Sequence, residues 1–232
     1  MRKLLTELNT ALRITVLIAV LCGIAYPLVM TGAAQIAFNS NANGSLVSDS
    51  KGHVIGSSLI GQCYYKTTTD TSGTVTYQTT KDDQGNAIFV IDPRYFQSRP
   101  SFTVDANGKP LPCNAANSVG SNLAPSSKVL LSRVEGYTDY LHSLGIAKNP
   151  DGSNAPMPVD LVTGDFTGFD PDISDAAALA QVSMVAAARH LDSAKLQQLV
   201  ESHVAGRPLG IFGSPHVTVL SLNMALDAGA AS

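Results

Sequence analysis

Between Ile14 and Phe38 the chain carries no charged side chain, and this stretch restricts its fold more than any other feature. As a helix rising 1.5 Å per residue it would reach about 37 Å, enough to cross a hydrocarbon core of about 30 Å with some tilt. Arg2, Lys3 and Arg13 precede it against the single acid Glu7, and the first charges after it are Asp49 and Lys51. Basic residues are retained on the cytoplasmic side of a membrane, so the asymmetry puts the N-terminus inside and everything after the helix outside. A cleaved signal peptide is the rival reading, with Ile14 to Ala25 as its apolar region and Pro27 as the breaker ahead of a small-residue site. Against it, apolar residues continue through Leu28, Val29, Met30, Ile36 and Ala37, and no clean Ala-x-Ala site follows. The expectation is a membrane helix over 14–38, a cytoplasmic segment 1–13 and an extracytoplasmic domain 39–232.

Thr15, Ala19, Gly23, Pro27 and Thr31 recur at every fourth position of this stretch. Small residues let helix backbones approach closely in lipid, so the strip suits packing against other membrane helices and hints at a multi-subunit complex. The bland alternative is that such residues are simply common in membrane spans.

The rest of the chain is long enough to bury a core. Hydrophobic residues make up 44% and charged residues 14%, a balance that argues against disorder. A net charge of −3 without a basic run lacks the clustered footprint that nucleic-acid binding needs, so no nucleic acid is expected as a partner. Cys22 lies in the apolar stretch and reads as a small hydrophobe. Cys63 and Cys113 fall in the part placed in an oxidising compartment, where a bridge could persist, but two cysteines this far apart leave the pairing open.

Asn39 to Ser50 reads as a polar connector. A Thr-rich segment from Tyr64 to Asp92 follows, with Gly73 and Gly85 as turn signals between the β-prone runs Thr74–Val75–Thr76–Tyr77 and Ala87–Ile88–Phe89–Val90. It fits a β-hairpin or an exposed loop insertion. Asn107–Gly108 marks another tight turn. After Pro125–Ser126, apolar residues from Val129 to Leu144 keep a helical period that Gly145 closes. Ser174 caps a second expected helix running to Leu191, and Asp192 a third ending near Gly206. Val217 to Leu222 reads as a short strand, followed by a turn around Met224 to Leu226. The fold class is α+β: one membrane helix plus a mixed α/β domain with a small sheet.

Catalytic signatures are absent from the sequence: no Walker loop, no Asp-Lys-Thr-Gly run and no Gly-x-Ser-x-Gly. His53, His142, His190, His203 and His216 are scattered rather than set at metal-ligand spacing, so no metal site is expected. Asp165, Asp170, Asp172 and Asp175 could wrap a hard cation, yet their spacing misses the EF-hand pattern and suits turns and a helix cap better. Arg99–Pro100 after Tyr95–Phe96 could set a guanidinium on an aromatic ring or pin a turn, and Gly120–Ser121–Asn122–Leu123 is a turn leading into a helix.

Taken in order, these segments resemble one family. They are Tyr26–Pro27 with Thr31–Gly32, Gly44–Ser45–Leu46, and Gly56–Ser57–Ser58–Leu59–Ile60–Gly61–Gln62. Tyr95–Phe96 with Arg99–Pro100–Ser101 and Gly120–Ser121–Asn122–Leu123–Ala124–Pro125 come next. Pro158–Val159–Asp160–Leu161–Val162–Thr163 and Gly168–Phe169–Asp170–Pro171–Asp172–Ile173–Ser174 follow. The last are Ala176–Ala177 with Gln181–Val182, and Val217–Thr218–Val219–Leu220–Ser221–Leu222–Asn223. The series is similar to KdpC, the small subunit of the bacterial Kdp potassium-pumping P-type ATPase. Val119 stands where that family usually has Gly, Thr218 where Asn is common, and the run from Asp165 to Asp172 departs from a Ser-Gly-rich pattern.

The resemblance implies a single-pass protein of the bacterial plasma membrane whose main domain is periplasmic or extracellular. It implies a complex with the potassium-translocating subunit KdpA, the ATPase subunit KdpB and the small helical subunit KdpF. ATP and potassium would be ligands of that complex, and this chain would be an accessory subunit without catalytic motifs or a cofactor of its own. The family is also described as a catalytic chaperone that raises the ATP affinity of the ATPase subunit. In this frame the Thr-rich segment looks like an insertion, and a Cys63–Cys113 bridge would staple its base. The readings outside the family are a membrane-anchored extracytoplasmic hydrolase using carboxylates around Asp170, or a free-standing binding domain.

Overall fold

The computed structural model describes residues 2–49, 51–73 and 75–229. Ser50 of the connector and Thr74 of the first β-prone run lie outside the described residues, as do Met1 and residues 230–232. The chain forms two units, Met1–Ser57 and Ser58–Ser232.

In the first unit, α1 (Arg2–Val20), a π-turn (Leu21–Ala25) and α2 (Tyr26–Ala37) make one continuous 36-residue helix, long and apolar enough to cross a membrane. It starts ahead of the uncharged stretch because Leu4, Leu5, Leu8 and Leu12 are good helix formers. Thr6 and Thr10 fold their hydroxyls back onto the carbonyls of Arg2 and Thr6. Pro27 does not end the helix. Lacking an N–H and crowding the preceding turn, it is accommodated by widening: the Tyr26 N–H reaches back five residues to the Leu21 carbonyl.

The connector is more ordered than its composition suggests. An amide ladder from Gln35 through Asn39 to Asn43 extends the helix into a single turn, α3 (Asn39–Ala42). Then β1 (Leu46–Ser48) pairs antiparallel with β2 (Val54–Ser57), placing Val47 opposite Gly56.

Among the described residues, the second unit holds three further two-stranded antiparallel ladders rather than one sheet. The Thr-rich segment gives two successive hairpins where one was expected. β3 (Thr67–Thr69) pairs with β4 (Val75–Tyr77), and β5 (Thr79–Lys81) pairs with β6 (Ala87–Phe89). The Gly73 and Gly85 turns close them at φ of +83° and +81°, a region open to glycine without strain. Tyr65 stacks on Phe89 at 5.3 Å with Tyr77 edge-on, giving the otherwise polar segment an apolar side.

α4 (Lys128–Ser143) ends at Gly145 as its spacing predicts. The helix expected from Ser174 to Leu191 is instead two, α5 (Asp175–Ala180) and α6 (Val182–Arg189). The break falls at Gln181, whose fully buried side chain bonds the main chain of Gln97. Asp192 caps α7 (Ser193–Ser202), accepting from the amides of Ala194 and Lys195. The strand expected over Val217–Leu222 stops after two residues. β8 (Val217–Thr218) pairs with β7 (Asp172–Ile173), which is equally short, and the chain then turns into α8 (Val219–Asp227). Its buried Val219, Leu222, Asn223 and Leu226 follow helical spacing, which outweighs the β-branched run and absorbs the turn expected at Met224. The core gathers Phe96, Leu141, Val185, Leu196, Val200 and Leu222, joining α4 to α6, α7 and α8.

Candidate functional site

On the long helix, a Cβ added at Gly23 or Gly32 would meet nothing within 4 Å, so neither glycine serves packing within the first unit among the described residues. Positions spaced by four advance about 40° per step, so Thr15, Ala19, Gly23, Pro27 and Thr31 would wind about 160° round a regular helix. The π-turn lies inside the series and inserts about one residue's rotation, roughly 100°, in the opposite sense. The strip is thereby kept to one side of the helix, within about 60°. All five residues are exposed.

In the second unit the loops carrying the sequence motifs converge on Arg99. Its Nη2 donates to Thr163 Oγ1 at 3.2 Å and lies 3.5 Å from the Gly164 carbonyl, while Nη1 stands 3.9 Å from the Asp170 carboxylate. Its Nε is buried without a hydrogen-bond partner among the described residues. Of the two roles open to Arg99–Pro100, the contact with the Tyr95 ring is made by other arginines: Arg189 and Arg94 lie 4.7 and 5.9 Å from its centre. Two glycines let backbones meet here. Gly61 donates its N–H to the Phe169 carbonyl at 2.7 Å, and a Cβ there would collide with the Asp170 carbonyl. Gly168 sits at φ +83° against Thr103 and the Val119 carbonyl. Pro100 and Gly164 are in contact beneath, and Gly120 lies against the Phe166 backbone.

The acidic run is committed to turns and caps. Asp165 accepts from the Gly168 N–H at 2.6 Å and Asp170 from the Asp172 N–H at 3.0 Å. Buried Asp160 accepts from the Ser174 N–H at 2.6 Å, and Ser174 in turn caps α5 by accepting from Ala177. Thr163 donates to the Val159 carbonyl. Asp172 accepts from the Thr218 hydroxyl at 2.7 Å, and the Pro171 carbonyl receives the Val219 N–H. Burial pushes the Asp170 carboxyl above its ordinary value, against the opposing pull of the Asp172 amide and Arg99. Among the described residues, no three His, Cys, Asp or Glu side chains gather as a metal site would require.

The other motif positions are distributed. Gly56 and Ser57 lie on β2, with the Ser57 hydroxyl donating to the Gly44 carbonyl at 2.7 Å. The Gln62 carbonyl accepts from Ser98. Asn122 takes a left-handed turn after Ser121 at φ 52°. Asn223 is buried on α8. Cys63 and Cys113 form a disulfide with their Cα atoms 5.7 Å apart, tying the entry of the Thr-rich segment to the loop after Pro110. The segment also closes on itself, through the Asp92 N–H to the Tyr64 carbonyl. Cys22 is free and exposed on the helix.

The structure also opens a cavity of about 520 Å³ that no sequence signal marked, walled by β6, the loop from Pro100 to Pro110 and α4. Arg133 and Phe102 line it, and their one trace in the sequence is a charged residue set within the apolar stripe of α4.

Residues 8–228 match the family model described as KdpC, K+-transporting ATPase, c chain. Curated relatives named potassium-transporting ATPase KdpC subunit match over nearly their whole length. The Rhodopseudomonas palustris (strain BisB18) protein is 42% identical over 231 residues, covering 97% of this chain and 99% of the relative. The Bradyrhizobium diazoefficiens protein is 43% identical over 234 residues, covering 98% and 100%. The Methylobacterium nodulans protein is 44% identical over 230 residues, covering 97% and 98%. An apolar N-terminal helix followed by a disulfide-stapled α+β unit, matched end to end in this way, places the chain in the KdpC family, the c chain of the K+-transporting ATPase.

Proposed function

We propose that this chain is a non-catalytic accessory subunit of a bacterial, high-affinity, ATP-driven potassium uptake complex, and that its long helix is the docking element. The supporting observation is the exposed small-residue side that the π-turn keeps aligned on a membrane-length helix. Such a side lets a partner helix approach closely in lipid. By the family reading the partners are KdpA, KdpB and KdpF. The charge asymmetry around the helix orients the N-terminus to the cytoplasm and the stapled unit to the periplasm or exterior, where its disulfide persists.

In that orientation nearly all of the chain lies across the membrane from the ATP site. The family's role as a catalytic chaperone is then exerted through helix contacts that differ between pump states, since coupling needs such differences. The hydroxyls and carboxylates around Arg99 hold main-chain groups, which favours scaffolding over hydrolysis.

Purifying the pump from cells with and without this chain tests the proposal. Loss of the intact complex in its absence is the expected result, and an intact, potassium-stimulated complex without it would overturn the assembly role. Where a partial complex survives, its KM for ATP decides the chaperone role: a rise supports it, and an unchanged KM removes it.

A further inference from the structure

We propose that the cavity between β6, the Pro100–Pro110 loop and α4 binds a small organic monocarboxylate with an aromatic or branched apolar body. At about 520 Å³ it falls within the range of small-molecule sites, about 300–1,000 Å³. Ile88, Phe89, Phe102, Leu123 and Val162 supply its apolar lining. The cavity borders the Arg99 cluster, sharing Pro100 and Thr103 with it, and does not depend on the assembly reading above.

Arg133 sets the charge of the ligand. Its guanidinium lies 5.2 Å from the Phe102 ring centre and lines the cavity. Among the described residues it has no carboxylate within 4 Å and no hydrogen-bond acceptor. Guanidinium stays charged and offers N–H donors as a planar fork, the shape that a carboxylate fills with two parallel bonds. The cation–π contact with Phe102 restrains the guanidinium without using its N–H donors.

The other charged lining residue is Asp82, and it is already engaged. Its Oδ1 accepts from the amides of Gln84 and Asn86 at 3.0 and 2.7 Å, and its Oδ2 from Asn86 Nδ2 at 2.9 Å. It is packed against Gly136 of α4. One free cation beside one fixed carboxylate suits a single negative charge. A polyphosphate would bring several charges to one guanidinium and meet Asp82 as a repulsion. The aromatic walls select the body of the ligand, since flat or branched apolar groups stack on such rings.

Titrating 4-(trifluoromethyl)benzoate into the full chain in detergent, followed by fluorine NMR, tests the site. Saturable binding is expected, weakened roughly tenfold or more by Arg133→Gln and by replacing the probe with neutral 4-(trifluoromethyl)benzamide. Ile88→Trp, which fills the cavity, should abolish it; if that variant does not fold, Arg133→Gln and the benzamide decide alone. Non-saturating signal in every sample means partition into detergent only and overturns the proposal. Equal binding of the two probes, or undiminished binding in Arg133→Gln, overturns it too. Displacement of the benzoate by equimolar ATP would show a polyanion site and likewise contradict it.

Discussion

Asn223 and Phe96 stand 127 residues apart in sequence and bond as neighbouring strands do. Asn223 Oδ1 accepts from the Phe96 N–H at 2.9 Å, and its Nδ2 donates to the Phe96 carbonyl at 2.9 Å. Gln181 serves Gln97 in the same way, accepting its N–H at 2.7 Å and donating to its carbonyl at 3.3 Å. Two buried amides thus replace a missing strand beneath the segment that leads to Arg99. Buried main-chain groups need partners, and here α8 and the α5–α6 break supply them.

Asn223→Leu keeps the side chain's size and strands both Phe96 groups in the core. At about 1–3 kcal/mol for each of the two unpaired groups, the variant should lose roughly 2–6 kcal/mol of stability. Denaturant unfolding of the full chain measures this. A loss below about 1 kcal/mol would mean that Phe96 finds other partners.

Glycine substitutions separate folding from docking. Gly168→Ala combines a left-handed backbone with the Thr103 contact, and Gly61→Ala meets the Asp170 carbonyl. Each should lower the unfolding midpoint, with a cost above about 1 kcal/mol. Gly23→Ala has open space in a helix and should not lower the midpoint. A lowered midpoint in Gly23→Ala, or an undiminished one in the other two, would contradict the packing described.

The disulfide spans 50 residues, and loop-closure entropy for that span amounts to about 4 kcal/mol. Replacing both Cys63 and Cys113 by Ser should therefore lower the denaturation midpoint of the second unit markedly. The Asp92–Tyr64 closure should survive the change. Amide exchange reads both: fast exchange at Asp92 in the double variant would mean that the disulfide alone holds the base of the Thr-rich segment.

Asp170 gives a pH dependence of defined sign. Burial raises its carboxyl above the ordinary 3.8, so the folded chain holds that proton more tightly than the unfolded one. Its contribution favours folding at low pH and is lost as pH rises from about 3.8 through the raised value. Asp170→Asn keeps an acceptor for the Asp172 amide and removes this loss. The stability of the variant relative to the native chain should rise between pH 3 and pH 7, read from unfolding curves at each pH. A relative stability that is flat or falls with pH would contradict it.

Local chemistry made much of this fold legible. Helical spacing closed by Gly145 marked α4, and Ser174 and Asp192 announced helix starts that their side chains do cap. The misreadings fall where a distant partner decides. Gln97 captures Gln181 and breaks a helix, and β7 is too short to extend β8, so helix burial takes over at Val219. Of the candidate site, the motif segments were readable in order. Their meeting at Arg99 was not, because Thr163 and Asp170 lie more than sixty residues away along the chain. Arg133 showed only as a charge within an apolar stripe, since the cavity wall is built from separated segments between Tyr65 and Val162.

Helix docking is tested most directly by two matched substitutions on α1. Ala19 and Leu17 point to nearly opposite sides of that regular helix, about 200° apart, and tryptophan at either keeps the segment apolar. The quantity to measure is the amount of potassium-translocating subunit that co-purifies with each variant in mild detergent. Docking through the small-residue side predicts a several-fold loss for Ala19→Trp and native recovery for Leu17→Trp. Equal recovery with both variants, or loss with Leu17→Trp alone, would contradict it.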